Sequence, residues 1–281
     1  MRKAAEEAGI TILPEFGMDP GIDLVLLKQA TVGFNKIERL INYGAGFPEP
    51  SACDNPLNYK VTWTFEGVLN SYKRAGKVVH NGQVVEVADT EMFSLDKIHT
   101  LSMPELGELE AFPNGNVMKY VELLNLNPAE LKHMGRYVLR WSGHCAFWRT
   151  VSQLHLLDDE PVNVNGIDVQ PKKFLNAAIG HQLQYAVNER DIVVVQVETK
   201  GFDASGKPRT AVVSLTDYRD LTTGLTAMSR TVGFTASIGA QMLAAGKISK
   251  KGIISPLNDV PFKLFKNEMA KRNLHIEYEY K

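Results

Sequence analysis

The chain has 281 residues, 31 basic against 32 acidic side chains, a formal net charge of −1 and 44% hydrophobic residues, which suits one large domain or two small ones with a real core. The balanced charge leaves no basic footprint for nucleic acid and no polybasic run for a membrane surface, and the two distant cysteines, Cys53 and Cys145, are too few for a disulfide framework and lack metal-ligand spacing. No apolar run approaches a membrane span and the opening MRKAAEEAGITILPEFG has no apolar signal core, so a cytoplasmic setting is expected.

Residues 2–8 read as the last turns of a helix closed by Gly9 at the C′ position, and residues 10–13 as a short buried strand. A helix–glycine–strand unit is how a doubly wound domain continues, so the first 15 residues read as the tail of something longer. In Phe16-Gly-Met-Asp-Pro-Gly-Ile-Asp23, Asp19 is placed to cap a helix beginning at Pro20 and running to about residue 32. Strand signals follow at 36–43 and 59–64, and a short helix at 67–74. Residues 77–80 and 83–87 form a hairpin around Asn81-Gly82, the pair that suits a type I′ turn. Residues 100–103 and 107–112 continue the β character, 116–124 reads as helix, 133–141 as strand and 144–156 as an aromatic-rich helix.

Asn165-Gly166 marks a second hairpin, and 171–182 is helical. Residues 191–200 and 210–217 form a long β pair, 225–245 the longest helix, 261–272 the last helix and 274–278 a final strand. The pattern predicts an α+β fold with a mixed, largely antiparallel sheet and helices on one face. The sheet's other face then needs a cover, and a symmetric partner is a common one.

A doubly wound nicotinamide enzyme carries G-x-G-x-x-G between its first strand and helix. The nearest match is Gly44-Ala45-Gly46, where Glu49 stands in place of the third glycine and Pro48 and Pro50 forbid a helix start in register. The Walker pattern, H-E-x-x-H and G-x-S-x-G are absent as well.

Several blocks nevertheless occur in order: Glu15-Phe-Gly-Met-Asp-Pro-Gly-Ile-Asp23, Tyr43-Gly-Ala-Gly-Phe-Pro48, Asp54-Asn-Pro-Leu-Asn-Tyr-Lys60, the run from Trp63 to Leu69, Ala111-Phe-Pro-Asn114, Tyr137-Val-Leu-Arg-Trp141 and Arg230-Thr-Val-Gly-Phe234. Together they resemble the second domain of saccharopine dehydrogenases of the glutamate-forming type and of the related lysine 6-dehydrogenases, over about residues 5–275. The resemblance implies a nucleotide domain upstream, NAD or NADP as cofactor of the full enzyme, an amino-acid substrate and a homodimer. It divides the chain into residues 1–32, the end of the nucleotide domain and a connecting helix; 33–224, the substrate-binding and dimerisation domain; and 225–281, helices and a strand returning toward the nucleotide domain. Where that family resembles Pro-Asn-Arg, this chain has Gly115 in the third place, which leans toward a smaller amino acid or amino aldehyde.

Each candidate site residue has a structural reading beside the functional one. Asp19 and Asp23 are a cap and a dipole-compensating carboxylate, or carboxylates that hold a substrate ammonium. Lys60 is a solvent-facing residue entering a strand, or a cation near the substrate carboxylate or a proton carrier near the imine; Asn55, in the same block, is read alongside it as a substrate ligand. In Arg140-Trp-Ser-Gly-His144, a fixed guanidinium and a helix start make an anion site, with His144 a proton carrier; the plain alternative is a salt-bridged arginine and a core histidine. Asn114 is a turn residue or a substrate ligand. Arg219 and Arg230 are structural ion pairs or contacts to the cofactor. Cys145 lacks partners for thiolate chemistry, and Phe147 and Trp148 read as packing. The expected function is the substrate-binding part of an NAD(P)-dependent oxidoreductase acting on the CH–NH group of an amino acid such as lysine or saccharopine, inactive as this chain alone. The rival is a non-catalytic dimeric binding or assembly module, or a partner subunit of a split enzyme.

Overall fold

The computed structural model describes residues 2–281. The chain opens with helix α1 (Arg2–Glu7), strand β1 (Thr11–Ile12), helix α2 (Ile22–Ala30) and the long strand β2 (Lys36–Pro48). Helix α3 (Phe65–Tyr72) precedes two hairpins, β3 (Gly76–His80) with β4 (Gln83–Val87), and β5 (His99–Met103) with β6 (Gly107–Pro113). Helix α4 (Met118–Leu123), strand β7 (His133–Trp141) and helix α5 (His144–Gln153) follow, then the small hairpin β8 (Val162–Val164) and β9 (Ile167–Val169) and helix α6 (Pro171–Ile179). The last part holds β10 (Asp191–Phe202), β11 (Pro208–Tyr218), α7 (Ala227–Ala244), β12 (Gly252–Ile253), α8 (Pro256–Asp259), α9 (Phe262–Ala270) and β13 (Ile276–Tyr280).

Among the described residues the main sheet has nine strands. Its spine runs β13-β11-β10-β2-β7, and only β2 and β7 pair in parallel within it. Beyond β7 the sheet forks: β3 takes the start of that edge (Val79↔Met134) and β6 takes its end (from Pro113↔Tyr137 to Leu109↔Trp141). This is the mixed, largely antiparallel sheet that the pattern predicts.

Alternation along the strands sorts the two faces. Leu40, Met134, Val193, Val195, Val197, Val213 and Leu215 share a core with α2, α7 and α9. On the same side, α3, α5 and α6 cover Tyr59, Phe112 and Trp148. The opposite face carries Ile41, Tyr43, Phe47, Tyr137 and Leu139, and the β5–β6 hairpin packs Met103, Leu101 and Leu106 against it. The chain therefore covers part of this second face itself.

Four local expectations need correction. The first strand is not buried: Ile10 and Ile12 are 50% and 41% exposed, because β1 pairs only with the short β12, in parallel. Asp19 does not cap α2. Residues 17–21 form a tight loop in which Gly17 donates to Pro20 and Ile22 to Gly17, and Gly21 has φ 147°, with Gly17 backbone filling the space of a side chain. The helix starts beyond that loop, and Asp23 accepts from Gly21 N–H at 2.7 Å. Residues 59–64 are not a strand: Val61 donates to the Leu183 carbonyl and Thr64 accepts from Gly67 N–H to start α3. The final strand lies two residues later than predicted, because a turn over 271–273 follows α9 and bonds Leu274 N–H to the Met269 carbonyl.

Candidate functional site

A hollow of about 570 Å³ opens on the helical side of the sheet. Its floor is main chain. Gly44 and Gly46 of β2 lie on the same side as Leu40, and a Cβ at Gly44 would sit 2.5 Å from Asp19 Oδ2, while one at Gly46 would sit 2.6 Å from Met228 Cε. The Gly17–Pro20 loop forms one wall, α7 contributes Met228 and Ser229, and Thr62, Trp63 and Arg74 stand at the α3 side. Trp63 is 55% exposed and rests on Gly67, where any side chain would run into its ring.

One end of the hollow is acidic. Asp19 pairs with Arg136, and Arg136 also reaches Asp23 Oδ2 at 3.5 Å. Asn42 donates to Asp23 Oδ2 at 2.9 Å. Two carboxylates thus share one guanidinium, leaving a local charge near −1 when both are ionised. Asp23 is fully buried, and that burial pushes its carboxyl up to about 6; burial also brings Arg136 down to about 10.

A raised carboxyl in the folded state means that the unfolded chain loses its proton first. Wild-type stability should therefore fall as pH rises from about 4 to about 6, through the window set by the shift in Asp23. Asp23→Asn should flatten that part of the curve. Urea unfolding across the window measures it; parallel profiles for the two proteins would remove the assignment.

The other end carries Arg140, two alternations along β7 from Arg136 and so on the same face, about 13 Å away at 3.3 Å per residue. Arg140 is 6% exposed. Its guanidinium donates to the Leu139 carbonyl at 2.8 Å, its Nε has no partner, and no carboxylate among the described residues lies within ion-pair distance of it. Asn114, in the loop after β6, also lines the hollow; its backbone N–H bonds to Arg136, and its side-chain amide has no hydrogen bond among the described residues.

Of the residues singled out in the sequence, Asp19, Asn114 and Arg140 come together on this hollow, with Asp23 directly behind Asp19. Four others do not reach it. Lys60 is buried between Glu189, at 2.6 and 2.7 Å, and Asp54, at 2.9 Å; burial lowers its pKa, but those bonds outweigh it and hold the ammonium above the ordinary lysine range. Asn55 shapes its own loop, accepting from Leu57 N–H and donating to the Tyr59 carbonyl. His144 is packed under Tyr72, whose hydroxyl lies 2.8 Å from Nε2; burial, then the charge of Arg140, pushes its pKa well below the usual value. Arg230 spends its fork on Asp217, at 2.9 and 3.3 Å.

The anion site expected at the start of α5 is also taken. Glu110 accepts there from Gly143 and Cys145 N–H at 2.9 and 2.8 Å. Sequence reasoning missed Arg136, which stands one residue before the quoted Tyr137–Trp141 block and four before Arg140, on the same alternation. It also missed the floor: the block Tyr43-Gly-Ala-Gly-Phe-Pro48 carries the family resemblance, but nothing local marks its glycines as bare strand backbone under a hollow. Those glycines lie inside β2, paired to Val195–Val193 of β10, with no helix start beside them. They do not form a dinucleotide cradle.

The saccharopine dehydrogenase C-terminal domain family matches residues 17–274. The chain is 25% identical to alpha-aminoadipic semialdehyde synthase of Arabidopsis thaliana, over 92% of this chain and 31% of that protein. It is 27% identical to the mitochondrial enzyme of the same name from Bos taurus, over 92% and 34%. The chain spans about a third of the length of these two relatives. It is 26% identical to saccharopine dehydrogenase (NADP(+), L-glutamate-forming) of Schizosaccharomyces pombe, over 99% of this chain and 75% of that one. In fold it is similar to apo saccharopine dehydrogenase (L-Glu forming) from Saccharomyces cerevisiae, with a TM-score of 0.84 at 21% identity over 98% of this chain and 75% of that one.

Proposed function

The chain belongs to the saccharopine dehydrogenase C-terminal domain family, and we propose on that basis that it is the amino-acid-binding part of a nicotinamide-dependent oxidoreductase that works at a carbon–nitrogen centre. The observation that carries the reading is one hollow with opposite poles: a buried arginine without a carboxylate at one end and two carboxylates sharing one guanidinium at the other. A zwitterionic amino acid matches both. Its carboxylate goes to Arg140 and its ammonium to the Asp19 end, while the amide of Asn114 gives a directional hydrogen bond.

The substrate is lysine or an adduct of it. Beside Gly115 the nearest guanidinium is that of Arg136, 3.6 Å from where a Cβ at position 115 would stand. Asp19 and Asp23 already engage it, which supports a ligand with fewer carboxylates on that side. NAD or NADP supplies the hydride chemistry in the full enzyme, and nucleotide binding is assigned to an upstream domain or subunit. The exposed edge of the β1–β12 pair, with Ile10 and Ile12 in water, is where such a domain's sheet would continue.

The test is a calorimetric titration of the protein with L-lysine and with L-saccharopine. Saturable binding of at least one is expected, lost when the α-amino group is acetylated. Failure of both ligands to bind, with an upstream nucleotide domain and NADP+ supplied, removes the reading.

A further inference from the structure

Arg140 poses a problem that the sheet itself should have solved. Glu110 stands directly across from it on β6, and antiparallel neighbours on one face have Cβ atoms roughly 4.5–5.5 Å apart. A cross-strand ion pair was available. Instead Glu110 turns both carboxylate oxygens to the backbone of Gly143 and Cys145 at the start of α5.

Aromatic side chains take the place of the counter-ion. The guanidinium carbon lies 4.9 Å from the centroid of the Tyr59 ring, and Tyr59 is fully buried. Among the described residues, the hydroxyls of Tyr59 and Tyr185 and Arg140 Nε find no hydrogen-bond partner. Tyr72, 1% exposed, also stands close to the guanidinium, and its hydroxyl is 2.8 Å from His144 Nε2. A neutral imidazole with its proton on Nδ1 accepts the Tyr72 proton at Nε2. The lone pairs of the phenol oxygen are then free for the arginine. A ring face and a phenol oxygen stabilise a cation without neutralising it. A carboxylate in the same place would neutralise it.

We propose that Tyr59, Tyr72 and His144 are positioning residues that hold Arg140 as a buried cation without a counter-ion, reserving its charge for the carboxylate of an incoming amino acid. The proposal rests on reading the hollow as an amino-acid site, and it makes Tyr59 and Tyr72 determinants of the preference for a free carboxylate. His144 then acts through Tyr72 and not on the ligand.

Two measurements on the full chain decide it. The first needs no ligand. Replacing a buried, poorly compensated charge by an apolar group of similar volume is often neutral or stabilising, so Arg140→Met should melt at the same temperature as wild type or higher. Melting several degrees lower would make Arg140 a structural cation and overturn the proposal.

The second compares affinities for L-lysine and L-lysinamide, which differ in the carboxylate alone. Tyr59→Leu and Tyr72→Phe should each cut the preference for L-lysine by about 3- to 30-fold, the range of a desolvated cation–π contact or a hydrogen bond to a charge. Tyr59→Phe keeps the ring and should stay within about 3-fold of wild type. If both ligands weaken equally in Tyr59→Leu and Tyr72→Phe, the tyrosines only pack the site and the proposal is overturned. If wild type binds neither ligand, the amino-acid reading fails, and the melting comparison still decides the state of Arg140.

Discussion

Arg140→Gln is expected to weaken amino-acid binding by roughly 30-fold to several thousand-fold, the range for removing one member of a buried, hydrogen-bonded charge pair, about 2–5 kcal/mol. The size follows from burial. At 6% exposure water hardly screens the attraction between the guanidinium and a bound carboxylate. The loss should fall on ligands with a free carboxylate and spare their amides. Calorimetric titration of both proteins with L-lysine and L-saccharopine measures it. A change within about 3-fold would mean that the carboxylate binds elsewhere.

The second large effect is on stability. Arg136→Met should destabilise the fold by about 3–5 kcal/mol near pH 8, because it leaves the fully buried Asp23, and Asp19 beside it at the hollow, with no cation between them. The cost should shrink near pH 5. There Asp23, raised to about 6 by burial, takes up a proton and needs no cation. Urea unfolding of the variant at both pH values tests the sign as well as the size. A loss under about 1 kcal/mol at both would show that Arg136 is not what holds the two carboxylates.

These two arginines show what was legible in the sequence and what was not. Strand β7 runs over the predicted residues, His133–Trp141. The Asn-Gly pairs placed two turns, with positive φ at Asn81, Gly82, Asn165 and Gly166. The resemblance groups Asp19, Asn114 and Arg140 as parts of one amino-acid site, and the fold brings the three to one hollow. What the sequence hid is partner choice. Lys60 sits in a motif block, yet its carboxylate partner Glu189 is 129 residues away. Glu110 looks like a surface residue of a strand until α5 closes over it. Nothing local marks either pairing, because each depends on where a distant loop returns. The region 59–64 misled for a related reason: Tyr59 and Lys60 are both buried and Val61 bonds to the Leu183 carbonyl, a partner far along the chain, with no neighbouring strand.

The bare backbone of Gly44 and Gly46 beneath the hollow carries a consequence for variation. A ligand resting there meets peptide groups, which are alike in every sequence, at the middle of the sheet where the chain has least room to move. Substitution cannot retune such a surface without filling it. The walls at Thr62, Trp63, Met228 and Ser229 can change without filling that floor or removing either charged pole, so a mutational library meant to broaden the ligand range should vary those four positions and leave both glycines untouched.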